Sequence, residues 1–170
     1  RAIYRCFKIM NQICLMKFQM KTSRIIPTLV LFVIHFHVSW SQPGATYTKY
    51  YFPNGVVSSE GNIENGRPNG YWKTYYSNGK LKSEGNRTLF LLDSTWKFYR
   101  ENGSLSQLIS YKNDLKEGIE IYYDSLERKV KSYTYLGNVK QGEYVVYFQS
   151  GKVKEQGVYE NNVLSGVLKE

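Results

Sequence analysis

Glu60 and Glu84 stand 24 residues apart. A pair of carboxylates is what a glycosidase uses, one as acid and one as base or nucleophile, about 5 to 10 Å apart. They are the main enzymatic signal beyond Gln42, because both cysteines (Cys6, Cys14) and both histidines (His35, His37) precede it. From Gln42 onward there is therefore no thiol nucleophile, no imidazole base, no zinc site built on thiolate or imidazole, and no disulfide. The column that holds the two carboxylates continues at the same step as Leu108, Ser132 and Gln156. An active site is unique whereas a repeated column is scaffold, so the sequence predicts no enzyme, no catalytic residue and no metal site. Its glycines fall at turns with no helix behind them, which leaves no phosphate-binding loop and no expected cofactor.

What positions these residues is a repeat. Asn54-Gly55, Asn78-Gly79 and Asn102-Gly103 fall 24 apart, with Ser150-Gly151 two periods on. Tyr51, Tyr75, Tyr99, Tyr123 and Tyr147 keep the same step, as do Gly70, Ser94, Gly118, Gly142 and Gly166. A second turn signal follows the first by 11 residues, at Asn65-Gly66, Asn113-Asp114, Gly137-Asn138 and Asn161-Asn162. Asn and Gly tolerate the positive φ of tight hairpin turns, and the stretches between are aromatic and β-branched. The fold class predicted is all-β: an open antiparallel meander of 24-residue hairpins in a single twisted layer. Leu81, Leu105 and Val153 should interleave with the tyrosine column, making that ladder the candidate core. Trp72 and Trp96 share a column with Glu120 and Tyr144. The fourth copy has no Asn-Gly and places Val130 one position late, which predicts a longer turn or a bulge.

The phrase from Gly70 to Gly85, with Trp72, Tyr75, Asn78-Gly79 and Leu81 in order, resembles the variant form of the MORN repeat. The resemblance covers about residues 48 to 170, with the fourth copy departing from it. It implies no catalytic residues. Bacterial chains of this kind carry the label of YwqK-type antitoxins, and MORN repeats elsewhere are associated with membrane recognition and scaffolding.

Residues 20–41 read as a secretory signal: a basic start at Met20 to Arg24, an apolar run from Ile25 to Val38, then Ser39-Trp40-Ser41. A retained anchor is the competing reading, disfavoured because about 14 apolar residues fall short of the roughly 20 that span a bilayer. Residues 1–19 lack an initiating Met and read as an upstream extension or over-called start. The repeat domain is then 42–170, about five copies with the last cut short. Export to the periplasm, envelope or medium is expected. Six of the 23 basic residues and none of the 14 acidic ones precede Gln42, so the rest of the chain carries 17 and 14, net plus three. A surface so mixed argues against nucleic acid as partner. Lys80, Lys82, Lys152 and Lys154 form a candidate basic strip for lipid headgroups or glycan.

Fifteen of the 16 tyrosines follow Gln42. Tyr71, Trp72, Tyr76, Trp96 and Tyr144 are the candidate partner-binding residues, with aromatic cover of the sheet as the competing role. Leu89-Phe90 stands where other copies place turn residues. Either it is an exposed apolar patch, or the turn has moved to Gly85-Asn86-Arg87 and the run is a buried strand; the sequence favours the second. The function expected is protein–protein interaction, with an antitoxin or immunity role as the form the resemblance implies and a lipid- or glycan-binding module as alternative.

Overall fold

The computed structural model describes residues 44–169. The signal segment, which the sequence leads one to expect as a helix, and the upstream extension lie outside the described residues. Eleven strands follow one another: β1 (Thr46–Tyr51), β2 (Val57–Glu64), β3 (Arg67–Tyr75), β4 (Leu81–Thr88), β5 (Leu91–Tyr99), β6 (Leu105–Lys112), β7 (Leu115–Tyr123), β8 (Lys129–Leu136), β9 (Val139–Tyr147), β10 (Val153–Glu160) and β11 (Val163–Lys169). They pair antiparallel in chain order, with no crossover and no helix among the described residues.

Two kinds of turn alternate. The first closes through three residues, as where Tyr76 N donates to Lys80 O and Gly79, at φ 84°, donates to Tyr76 O. The Asn of these turns accepts from a backbone N–H two residues on: Asn54 from Val56, Asn78 from Lys80, Asn102 from Ser104. Asn54 and Asn78 also donate to Ser77 O and Glu101 O, tying each turn to the next. The turn of the fourth copy has the same length as the others, so of the longer turn or bulge expected there the bulge is what is present. Glu127 takes the glycine's place at φ 59°, and the Asp124 carboxylate accepts from Leu126 N and Arg128 N. Its register shift, between Tyr122 and Tyr123, matches the shifts before Tyr75 and Tyr99. Lys129 therefore takes the place of Leu105, and Val130 is left exposed.

The second kind is a two-residue turn with positive φ at both positions, the geometry that matches strand twist. It occurs at Asn113-Asp114, Gly137-Asn138 and Asn161-Asn162, and also at Leu89-Phe90, with φ of 50° and 75°. The turn has not moved: Gly85, Asn86 and Arg87 lie inside β4, and Thr88 pairs with Leu91. Leu89 is 75% exposed. Elsewhere the second turn residue clips the preceding copy. Asp114, Asn138 and Asn162 accept from the N–H groups of Leu92, Lys116 and Lys140, and each donates its own N–H back to the same residue's carbonyl. The residue one period before Leu92 is Pro68, which has no N–H, so an acceptor at position 90 would have nothing to bind. Arg87 Nη1 donates to Phe90 O at 2.8 Å instead, and the Arg67 guanidinium lies 4.7 Å from the Phe90 ring centre. Left-handed backbone costs a side-chain-bearing residue roughly 1 kcal/mol or more. Leu89→Asn/Phe90→Gly, the residues of the Asn65-Gly66 turn, is therefore expected to stabilise the protein by about 1 to 2 kcal/mol. An unchanged melting temperature would show that the Leu-Phe turn holds no strain.

Most of the deepest burial lies on one face of the sheet, with Val145, 5% exposed, the deeply buried side chain of the other. Trp72 and Trp96 are 6% and 4% exposed. Trp72 stands in register between Gly61 and Gly85, and its ring covers Gly61 as the Trp96 ring covers Gly85. The glycines leave space for the indoles. The tyrosine column belongs to the other face, where Tyr75 pairs with Leu81, Tyr99 with Leu105 and Tyr147 with Val153. That ladder is half-buried, and Tyr51 is 60% exposed, so it is a cover and not the main core. Its phenols need polar partners, and among the described residues no second layer packs over them.

Candidate functional site

On the tyrosine face Lys49, Glu60, Lys73, Glu84 and Lys97 stand in direct register across β1 to β5. Tyr75 donates its hydroxyl to Glu60 at 2.5 Å and Tyr99 donates to Glu84 at 2.8 Å, the same contact in successive copies. Lys49 pairs with Glu60 at 3.1 Å and Lys97 with Glu84 at 3.8 Å. The Tyr75 hydrogen bond heads the causes that hold the Glu60 carboxyl below its usual range. Burial opposes the Tyr99 and Tyr71 hydrogen bonds at Glu84, and the net shift is again downward. Tyr71 is pushed up to about 12, by burial first and Glu84 second. Two carboxylates with lowered folded-state pKa values stabilise the fold above the unfolded carboxyl pKa, about 4.3, and that stability is lost as pH falls through the folded values. Melting temperature followed from about pH 6 to about pH 3 is expected to fall less steeply in Tyr75→Phe/Tyr99→Phe. Equal slopes would mean that the phenols do not hold these carboxylates ionised.

The repeated face is scaffold; the other face contains an arrangement that does not repeat. In the hairpin β6–β7 the glycine column reads Ile109 and the tryptophan column reads Glu120, which pair directly. An isoleucine fills the space an indole would occupy, so the two exchanges go together. Glu120 is fully buried. Its Oε1 accepts from Gln107 Nε2 at 2.7 Å and pairs with Lys116 Nζ at 2.6 Å, while Oε2 takes no hydrogen bond of good geometry. Burial, then the charge of this carboxylate, pushes the Tyr122 phenol up to about 12, and burial with the Glu120 contact raises Tyr135 further.

Tyr133 sits at the centre of the neighbouring cluster. It stacks on Tyr144 with ring centres 5.2 Å apart and lies 5.9 Å from Tyr159 and 6.1 Å from Tyr122. Two ammonium groups lie over it. Lys140 Nζ is 4.0 Å from the Tyr133 centre and 5.0 Å from that of Tyr159; Lys131 Nζ is 5.6 Å from Tyr133 and 4.9 Å from Tyr122.

Of the residues proposed from sequence for partner binding, only Tyr144 joins this cluster. Trp72 and Trp96 are corrected to core, since their rings are consumed by the glycines beneath them. Tyr71 is half-exposed on the tyrosine face. Tyr76 is half-buried, with its hydroxyl donating to Tyr99 O at 2.7 Å. Lys80 and Lys82 flank the start of β4, and Lys152 and Lys154 the start of β10, all exposed. Six strand spacings, roughly 29 Å, separate the two pairs, so they form two spots and not one strip. Glu120, Lys131, Lys140 and Tyr133 were not singled out. The signal that would have found them was the glycine column Gly61, Gly85, Gly157, interrupted by Ile109 and Tyr133.

Fold and surface define a single-layer β-hairpin repeat module with one copy of individual character. The sequence matches the MORN repeat variant over residues 47–65, 68–87, 92–113 and 140–161, and the chain belongs to that family. MORN repeats generally serve as protein- or membrane-interaction modules. The stretch 114–139, outside the matched segments, holds Lys116, Glu120, Tyr122, Lys131, Tyr133 and Tyr135. No curated protein matches the chain.

Proposed function

We propose that this is an exported, non-enzymatic MORN-type protein whose sheet binds another protein, with an antitoxin or immunity role as its most specific form. The observation that carries the reading is the tyrosine–lysine cluster on β7 to β10, centred on Lys131 and Tyr133 in the stretch the family match skips and completed by Lys140, Tyr144 and Tyr159 of the last matched segment. Amphipathic rings and cations held on rigid strands are the ingredients of a protein-binding surface. The non-enzymatic part rests on Glu60 and Glu84, whose contacts repeat from copy to copy as scaffold contacts do. Export rests on residues 20–41.

Affinity capture with residues 42–170 as bait, from envelope and medium of the producing cell, tests the reading. One stoichiometric protein partner is the expected result. Recovery of lipid or polysaccharide alone would replace it with the surface-binding alternative, for which the exposed Lys80, Lys82, Lys152 and Lys154 are the residues to mutate. Salt separates the two as well, since lysine–headgroup attraction is screened more strongly than an aromatic interface.

A further inference from the structure

The ammonium groups of Lys131 and Lys140 both lie over Tyr133, yet among the described residues neither is within ion-pair or hydrogen-bond reach of a partner. Like charges gathered on one ring repel unless an anion lies between them. The hydroxyls of Tyr133 and Tyr159, whose ring centres lie 5.9 Å apart, also make no hydrogen bond among the described residues. The carboxylates nearest on this face are already engaged. Glu120 is buried against Lys116 and Gln107, and Glu155 pairs with Lys169 at 3.9 Å. What remains is a half-buried group of donors whose two ammonium groups have no carboxylate within ion-pair reach, Glu155 lying instead against Tyr144 at its edge.

We infer that Lys131, Lys140, Tyr133 and Tyr159 form a carboxylate-binding site for an acidic segment of the protein partner. The inference rests on the protein-binding reading above and names the chemistry of that partner. Tyrosine faces covered by lysines have no open plane for a base to stack on, which disfavours a nucleobase. Ammonium and phenol donors suit carboxylates, each able to accept several hydrogen bonds. The repeat fold does not require this cluster, because other copies fill the same columns with Gly61–Trp72 and Gly85–Trp96.

The test titrates the full chain with fluorescein-labelled octaglutamate at low ionic strength, and in parallel with phosphatidylglycerol vesicles. Lys131→Gln/Lys140→Gln is expected to weaken peptide binding roughly tenfold, two exposed ion pairs. Lys131→Arg/Lys140→Arg should retain it, which guards against a loss caused by misfolding. Lys80→Gln/Lys82→Gln removes equal charge elsewhere and should change binding less than about twofold. Equal loss in the two glutamine variants, or no peptide binding, overturns the site. Vesicle binding that depends on Lys131 and Lys140 without peptide binding overturns it in favour of a lipid headgroup. If the captured partner stays bound to the Lys131→Gln/Lys140→Gln chain, the site is overturned and the protein-binding reading stands; an empty capture with the unaltered chain is the failure of that reading.

Discussion

Replacing Gly85 with alanine is expected to destabilise the protein by about 3 kcal/mol and lower its melting temperature by roughly 10 °C. A Cβ on Gly85 would lie 2.3 to 2.5 Å from the Cδ2, Cγ and Cε2 atoms of Trp96, far inside contact distance. The indole must then leave a position where it is 4% exposed. No easy retreat exists, because Trp96 Nε1 donates to Asn86 O at 2.9 Å and its strand is paired on both sides. The cause can be isolated with a double-mutant cycle. Trp96→Ala alone should cost about 4 kcal/mol, and with the indole gone Gly85→Ala should add less than about 1 kcal/mol. Additive losses in urea unfolding would mean that the glycine serves some purpose other than seating the tryptophan.

The second large effect is expected at Lys116. Its Nζ is 2.6 Å from Glu120 Oε1, and Glu120 is completely excluded from solvent. Lys116→Met leaves a buried carboxylate with Gln107 as its remaining direct donor, a loss of about 3 kcal/mol. Lys116→Met/Glu120→Leu should recover most of this, since an apolar pair of similar volume substitutes well for a buried ion pair. Ile109 opposite supplies an apolar neighbour for the leucine. If the double variant is no more stable than Lys116→Met, the ion pair is not what the lysine supports.

Hairpin number, most turn positions and strand order were legible because Asn, Gly and Tyr recur at one step. Leu89-Phe90 misled because its turn geometry is imposed by β4 and β5 on either side, overriding local preference. Which face forms the core was also misread. A tyrosine column and a tryptophan column are equally regular in sequence, and burial is decided by the paired strand: Gly61 and Gly85 lie beneath the indoles, while Leu81 and Leu105 pair beside the tyrosines. The cluster around Tyr133 draws on β7 to β10; Lys116 and Lys140 keep the 24-residue step, as do Tyr135 and Tyr159 beneath them, but Lys131 stands outside it. Only the register of four strands brings them together.

Each strand bonds only to the strands before and after it in the chain. Native contacts are then short in sequence separation, which favours rapid folding, and any hairpin can start the process with the others adding in turn. The same locality governs how such a gene can change. A 24-residue unit can be duplicated or lost with only its two flanking junctions to rebuild, and a copy can drift if its compensating partner drifts with it. Ile109 and Glu120, 11 residues apart, are a directly paired couple of this kind. One ancestral unit could thus acquire a specialised surface while its siblings went on holding the sheet together.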